Sequence, residues 1–233
     1  MSLKDQHVVV TGGTGALGRA VVADLVEAGA HCHVPCVSAE ELTHFDLRDH
    51  ARVSCELGVD LTDEGSVTAY FGALPPLWGS VHIVGGFAMA PLADTDVAAF
   101  RRMFELNAVT CFLCCREAVS NIRRGGAGSG GRIVNVAARP GLFPTAGMVA
   151  YATSKAAVVA LTHHLAEELK DERILVNAVA PSIMDTRANR AAMPDAPHDR
   201  WPKVEEVARA VRWLVSPANV LTTGLVMPVF GQS

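Results

Sequence analysis

The stretch "HVVVTGGTGALGRAVVADLVEAGA", residues 7–30, decides the fold. Its first five residues are an apolar, β-branched run of strand length, and from Ala16 onward the apolar residues recur at helical spacing. Between the two lie Gly12, Gly13, Gly15 and Gly18, and the last three fit G-x-G-x-x-G. Residues without a Cβ let backbone amides approach a pyrophosphate at the positive end of a helix. A glycine turn alone says little, but one that follows a strand and opens a helix has the required context. Gly12, Gly13, Gly15, Ala16, Leu17 and Gly18 are therefore the expected phosphate cradle of a dinucleotide.

The alternation continues outward. "AHCHVPC" (30–36), "RVSCELGVD" (52–60), "SVHIVGG" (80–86), "GRIVNVA" (131–137), "ILVNAVAP" (174–181) and "LVMPVF" (225–230) read as further strands, mostly separated by helix-length segments. Strand–helix alternation with right-handed crossovers gives a parallel sheet covered on both faces. The 233 residues show no internal repeat and no linker. The expectation is one α/β domain over 1–233, a doubly wound Rossmann-type sheet of about seven strands. "RRGG" (123–126) reads as a solvated helix end, and "RRGGAGSGG" (123–131) as a flexible loop before a central strand.

Half the residues are hydrophobic, 19% are charged, and the net charge is −4. There is no overall basic field for nucleic acid or anionic lipid, and the longest apolar runs fall short of a membrane span. The six cysteines form no spaced framework. "CFLCC" (111–115) contains C-x-x-C, but no second pair or nearby His completes a zinc site in the sequence, so no metal is expected. The cysteines read as buried and reduced. Without a charged–apolar–small leader pattern, a cytoplasmic protein acting on a small molecule is expected.

The second strand ends "HVPCVSAEEL" (33–42), with Cys36 and Val37 at its tip. Neither the Asp that favours the ribose hydroxyls of NAD nor the Arg that favours NADP is there, so the choice between NAD(H) and NADP(H) stays open. Ser38, His31 and His33 are candidates for that contact. In "GVDLTD" (58–63), Asp60 is placed to face the adenine, with Leu61 beside it. "YATSK" (151–155) sets Tyr151 and Lys155 at i, i+4 on one helix face. A nearby ammonium favours phenolate and draws a tyrosine pKa down from about 10. Tyr151 would then protonate a developing alkoxide as hydride arrives from a nicotinamide.

Taken in order, "TGGTGALG", "VDLTD", "FELNAVTCF", "GRIVNVAA", "YATSK", "ILVNAVAPSIMDT" and "TTGLVMPV" resemble the short-chain dehydrogenase/reductase family over nearly the whole chain. The resemblance implies that Asn107 supports a proton-relay water through Lys155, and that Lys155 contacts the nicotinamide ribose. It also implies that Gly85, Gly86, Pro181, Ile183 and Thr186 line the cofactor.

Three departures accompany the likeness. Gly15 is followed by Ala16, which shifts the middle glycine of the loop; "VGGF" (84–87) stands where N-N-A-G is usual; and the family's catalytic serine aligns with Ala138, preceded by Ala137. Together with "PTAGMVAYATSK" and "MDTRANRAAMPDA", these resemble the dihydropteridine reductase branch, which keeps the Tyr and Lys but lacks that serine. A conjugated, imine-like acceptor develops less localised oxyanion charge. The missing hydroxyl should then cost less than the roughly 3 kcal/mol typical of an oxyanion donor. Three functions stay open: reduction of a small carbonyl or enone, reduction of a quinonoid or pteridine heterocycle, and a silent NAD(P)-binding sensor or scaffold.

The remaining candidates have plainer readings. Arg139 is favoured as a surface residue over a charge supplied to the cleft. Thr145 and Ser154 read as cap or turn residues, and His163 and His164 as packing or interface residues. "SIMDTRANRAAMPDAPHDRWP" (182–202) follows the sixth strand at the ligand edge of the sheet. It reads as a substrate lid with Met184, Met193 and Trp201 as apolar walls. Helices expected at about 95–124 and 150–171 often pair between subunits in this family, implying a homodimer or homotetramer.

Overall fold

The apolar residues of each strand run are shared between two faces of one sheet. In the computed structural model, which describes residues 2–126 and 130–232, the strands are β1 (His7–Thr11), β2 (His31–Cys36), β3 (Val53–Leu57), β4 (Gly79–His82), β5 (Gly131–Val136), β6 (Ile174–Pro181) and β7 (Val226–Val229). They pair in the order β3-β2-β1-β4-β5-β6-β7, every pair parallel. Val8 and Val10 pack beneath α1 (Ala16–Glu27) and α7 (Val204–Val215). Val9 faces the other way, toward α2 (Glu64–Ala73), α4 (Thr110–Arg123) and α5 (Val149–Leu169). Burial on both faces is why these strands read as continuous apolar runs rather than alternating ones. The fold is the expected doubly wound α/β domain.

Strand order reverses between β1 and β4, and ligands of such sheets bind beyond the carboxyl ends of the strands at that switch. Two strands stop short of their apolar runs on approaching it. β4, expected to reach residue 86, ends at His82. Beyond it the Ile83 and Val84 amides donate to Thr11 Oγ1 at 3.1 and 3.4 Å. The run 52–60 pairs only over Val53–Leu57, and beyond it the Val59 amide donates to the Cys36 carbonyl at 3.0 Å.

The helix expected at 95–124 is three pieces in series: α3 (Val97–Phe104), a π-helical turn over Glu105–Val109, and α4. Asp96 caps its start, accepting from the Ala99 amide at 2.7 Å. The helix expected at 150–171 is α5 plus a 3₁₀ turn over Lys170–Glu172. α5 buries Ala150, Ser154, Lys155, Val158, Thr162, Ala166 and Leu169, so its core stripe is interrupted by a lysine.

Arg123 and Arg124 are exposed at the end of α4, as expected of a solvated helix end, with Arg123 paired to Glu172 at 2.6 Å and Arg124 donating to the carbonyls of Phe71, Gly72 and Leu74. Residues 127–129 of the expected flexible loop lie outside the described residues. His163 and His164 are exposed on α5 and take no part in the core packing of the chain. The expected lid at 182–202 contains α6 (Arg187–Ala192) and a 3₁₀ turn over His198–Arg200, braced by the Asp185–Arg190 ion pair at 2.5 Å. Met184 packs against the core under α1 and α7, and Trp201 is buried against the His198 ring, so neither is an open apolar wall.

Candidate active site

The glycines of the loop after β1 differ in what holds them. Gly12 has φ +67°, the left-handed region, and its carbonyl receives the Gly15 amide at 3.1 Å. A Cβ on Gly18 would lie 2.0 Å from that same carbonyl oxygen, so the helix approaches the loop only because Gly18 has none. Gly15 is the N-cap of α1, and a Cβ there would meet nothing nearer than 3.4 Å. The first turn of α1 carries no acidic residue and no side-chain cap. Its N-terminal amides at Ala16, Leu17 and Gly18 thus face an open, uncompensated space of the kind a pyrophosphate fills. The residues present fit a dinucleotide.

At the tip of β2 the structure corrects the candidates. His31 begins β2, at the amino-terminal edge of the sheet, and His33 is buried with its Nε2 2.9 Å from His7 Nδ1. Neither reaches the cleft. A carboxylate does stand beyond the strand end, that of Glu41 in the 3₁₀ turn Ala39–Leu42. Glu41 Oε1 accepts from the Val37 and Ser38 amides at 2.7 and 3.2 Å, and Oε2 accepts from Thr14 Oγ1 at 3.1 Å. It thereby bridges the strand tip and the glycine loop. The spacing Ser38-x-x-Glu41 is a capping-box pattern, the sequence signal that marks this residue.

Asp60 is exposed, and its Oδ1 accepts from the Thr62 amide and hydroxyl at 2.8 and 2.7 Å; those bonds hold its carboxyl below the usual range. Leu61 is buried beside it. Pro181 closes β6, and Ile183 is exposed beyond it. Thr186 Oγ1 caps α6, accepting from the Asn189 amide at 3.1 Å. A cleft of about 410 Å³ runs along Ala16, Arg19, Thr186 and Arg187. It adjoins the start of α1, on the phosphate side, and does not include Tyr151 or Lys155 among its walls.

Around the reacting end the side chains are interlocked. Asn107 sits in the π-helical turn and is buried; its Nδ2 lies 3.0 Å from the Gly86 carbonyl, 3.0 Å from the Met103 carbonyl and 3.1 Å from Ser154 Oγ. The Gly86 amide returns a bond to Asn107 Oδ1 at 3.2 Å. Ser154 Oγ in turn donates to the Tyr151 carbonyl at 2.7 Å. Ser154 is thus a fully buried link between Asn107 and the tyrosine's turn of helix, not a cap. Gly85 must be glycine for the chain to pass, since a Cβ would sit 2.3 Å from Asn107 Oδ1 and 3.3 Å from Lys155 Nζ. A Cβ on Gly86 would strike Leu106 at 2.8 Å.

Lys155 is 5% exposed and donates to the Val136 carbonyl at 2.8 Å. Burial pulls its pKa down to about 8, with the Cys111 thiol opposing. Tyr151 stacks edge-on against Phe87, ring centres 5.0 Å apart, and burial pushes its phenol up to about 12. That is opposite to the lowering expected from a neighbouring ammonium: here desolvation governs the phenol, and the lysine is turned to a backbone carbonyl. Ala138 is buried in extended conformation with only a methyl to offer. Arg139 is exposed and lies over the rings of Phe143 and Phe230, away from the role of a replacement charge. Thr145 Oγ1 bonds only locally, to the Phe143 carbonyl at 3.4 Å.

Residues 6–197 match the family model described as short chain dehydrogenase. The chain belongs to the short-chain dehydrogenase family. Among its short-chain dehydrogenase relatives is the cis-4-hydroxycyclohexanecarboxylate dehydrogenase of Sinomonas cyclohexanicum. It is 33% identical over 244 residues, covering 97% of this chain and 96% of the relative. A solved short-chain type dehydrogenase/reductase from Mycobacterium ulcerans superposes with a TM-score of 0.91 at 27% identity, over 100% of this chain and 90% of that one. ElxO, solved with NADP bound, shares the fold at a TM-score of 0.86 and 24% identity, over 97% of this chain and 98% of its own. As a short-chain dehydrogenase the chain is an NAD(P)-dependent oxidoreductase. Among the described residues no helix is long and apolar enough to cross a membrane.

Proposed function

We propose that the protein transfers hydride between NAD(H) and a small cyclic or conjugated carbonyl acceptor, with Tyr151 as proton donor. The observation that carries this reading is Lys155, a cation buried on the core stripe of α5, one turn from Tyr151 and directly under Gly85. A lysine held dry at the mouth of a dinucleotide fold is destabilising, and that is a mark of function rather than packing. A nicotinamide dinucleotide in the cleft would supply or accept the hydride. The α1 amides hold its pyrophosphate, Glu41 takes ribose hydroxyls and repels a 2′-phosphate, and Lys155 holds the second ribose and restores the proton on Tyr151. The Asn107–Ser154 bracket fixes the relative height of the Gly85–Gly86 loop and the Tyr151 turn. A relay water on Asn107 belongs to the same proposal.

The acceptor class follows from what flanks Tyr151. Phe87 is 63% exposed and edge-on to Tyr151, a wall suited to a flat ring. Ala138 gives no hydroxyl to a localised oxyanion, which favours an acceptor whose charge is delocalised. The Sinomonas relative, by its name, acts on a ring alcohol, and the narrower likeness to dihydropteridine reductase falls within the same class. The protein is read as a cytoplasmic homodimer or homotetramer, with exposed Phe112 on α4 and Val149 on α5 as the apolar contacts.

The test is NADH oxidation against cyclic ketones, enones, quinones and quinonoid dihydropterin, with wild type and Tyr151→Phe. The reading expects turnover on at least one ring acceptor and a fall of about a hundredfold or more in Tyr151→Phe, with NADH affinity retained. Undiminished turnover in Tyr151→Phe removes the assigned proton donor. NADH binding without turnover on any acceptor makes the protein a sensor instead.

A further inference from the structure

Strand β4 and helix α4 bring together three soft donors that the hydride chemistry does not use. His82, Cys111 and Cys115 are all buried, and one ligand atom from each lies within 4.8 Å of the others. Among the described residues no other three His, Cys, Asp or Glu side chains meet in this way. In sequence "CFLCC" has no histidine near it; in the fold a histidine arrives from a distant strand. The relevant pair is also not the C-x-x-C pair but Cys111 and Cys115, one helical turn apart on the same face.

The spacing suits a tetrahedral ion. Cys115 Sγ lies 3.4 Å from His82 Nδ1 and 3.5 Å from Asn135 Oδ1. Bonds of about 2.0–2.3 Å to a tetrahedral d¹⁰ cation put sulfur, nitrogen and oxygen ligands about 3.4–3.7 Å apart. His82 Nδ1 and Asn135 Oδ1, now 2.9 Å apart, must separate, and Cys111 Sγ, within 4.8 Å of the His82 and Cys115 donors, closes on the ion as the remaining ligand. The outer contacts are in place too. Without an ion, His82 Nδ1 donates to Asn135 Oδ1 and Nε2 accepts from Ser80 Oγ at 2.8 Å; on binding, the imidazole proton moves to Nε2, where Ser80 Oγ can accept it, and Nδ1 is freed as a ligand. Asn135 Nδ2 donates to Thr162 Oγ1 at 3.0 Å, and that hydroxyl donates to the Val158 carbonyl at 2.8 Å, so the oxygen end of Asn135 faces the cluster.

We propose that His82, Cys111 and Cys115, with Asn135 Oδ1 as fourth ligand, bind a thiophilic d¹⁰ cation of the Zn(II) type, pinning α4 to the sheet behind Lys155. On binding, two S–H bonds break, two metal–sulfur bonds form, and both protons leave to solvent. A dication with two thiolates carries no net charge, which is how an ion is accommodated among the buried apolar residues around it.

Reduced, metal-free protein is loaded with Cd(II), desalted and examined, then loaded with Zn(II). The proposal expects about one ion retained per chain, a thiolate-to-cadmium charge-transfer band, and an X-ray absorption shell of two sulfurs with nitrogen or oxygen. Cys111→Ala and Cys115→Ala each lose the band, while Cys55→Ser and Cys114→Ala keep it; NADH binding reports whether each variant is folded. No retained ion in the wild type, or a shell lacking sulfur, leaves the cluster a hydrogen-bonded piece of core. A band that follows Cys55 rather than Cys115 overturns the assignment as well. The wild-type measurements decide alone if a variant fails to fold.

Discussion

Lys155 donates a hydrogen bond to the carbonyl oxygen of Val136 at 2.8 Å, and burial holds its pKa at about 8 against an ordinary 10.5. The unfolded chain keeps that proton to higher pH. Between about 8 and 10.5 the unfolded state therefore binds more protons, and stability rises with pH. Below 8 the folded protein bears the full penalty of a buried charge. Lys155→Met should stabilise the protein at pH 7 by about 1–2 kcal/mol, with the gain fading toward pH 10.5, while oxidoreductase activity disappears. Urea unfolding at pH 7 and pH 9.5 measures it; a variant no more stable at pH 7 refutes the account.

Under the proposed function, Glu41 is the residue expected to set cofactor choice. Its carboxylate joins the β2 tip to Thr14, and a 2′-phosphate bound at that tip would meet it. Repulsion in that half-open setting is about 1–3 kcal/mol, or about tenfold to a hundredfold. Fluorescence titration should show NADH bound at least about tenfold more tightly than NADPH, and Glu41→Gln should bring the two close together. A wild type without preference removes the role.

Two neighbouring glycines should fail differently. In Gly18→Ala the new Cβ meets the Gly12 oxygen at 2.0 Å and the Gly13 Cα at 2.6 Å. Backbone must move, and a loss of about 3 kcal/mol in stability is expected. In Gly15→Ala the Cβ has 3.4 Å of clearance, so the fold is kept. It intrudes instead on the phosphate space, and NADH affinity falls by about tenfold or more. Paired melts and titrations distinguish the two; equal loss of stability in both would contradict the assignment.

The buried His33, paired with the half-buried His7, should make the protein acid-sensitive. Burial holds His33 at about 4 in the folded chain against 6.5, with His7 and His31 adding to the effect. As pH falls from 6.5 to 4 the unfolded chain takes up the proton first, and stability is lost over that window. The loss is about 1–2 kcal/mol once residual solvent contact is allowed for. His33→Leu should flatten the slope of stability against pH there; an unchanged slope rejects the pair as its source.

The fold was legible because it is written in short local signals. A β-branched run, a glycine turn and an amphipathic helix repeat in order, and burial of the strands on both faces follows from their unbroken apolar character. Tyr151, Lys155 and the glycine loop are local motifs too, which is why the proposed site could be named from sequence. Glu41, the carboxylate proposed for the ribose, escaped because such a group was sought at the strand end, whereas this one reaches back from the following turn. His82 escaped because its partners lie on another element, and spacing in sequence carries no record of what strand pairing brings together. The phenol's upward shift was missed for a third reason. Two residues on one helix face need not interact, and Lys155 is engaged by a backbone carbonyl.

The Asn107 carboxamide has a consequence for how readily the site rearranges. Its nitrogen carries two hydrogens but stands 3.0–3.1 Å from three acceptors: the carbonyls of Met103 and Gly86, and Ser154 Oγ. At any moment one acceptor goes unserved. An arriving water or substrate hydroxyl that donates to the neglected oxygen breaks nothing, so hydrogen bonds around the turn can be traded at nearly constant number. A rigid bracket would have to be opened; an over-subscribed one only changes clients.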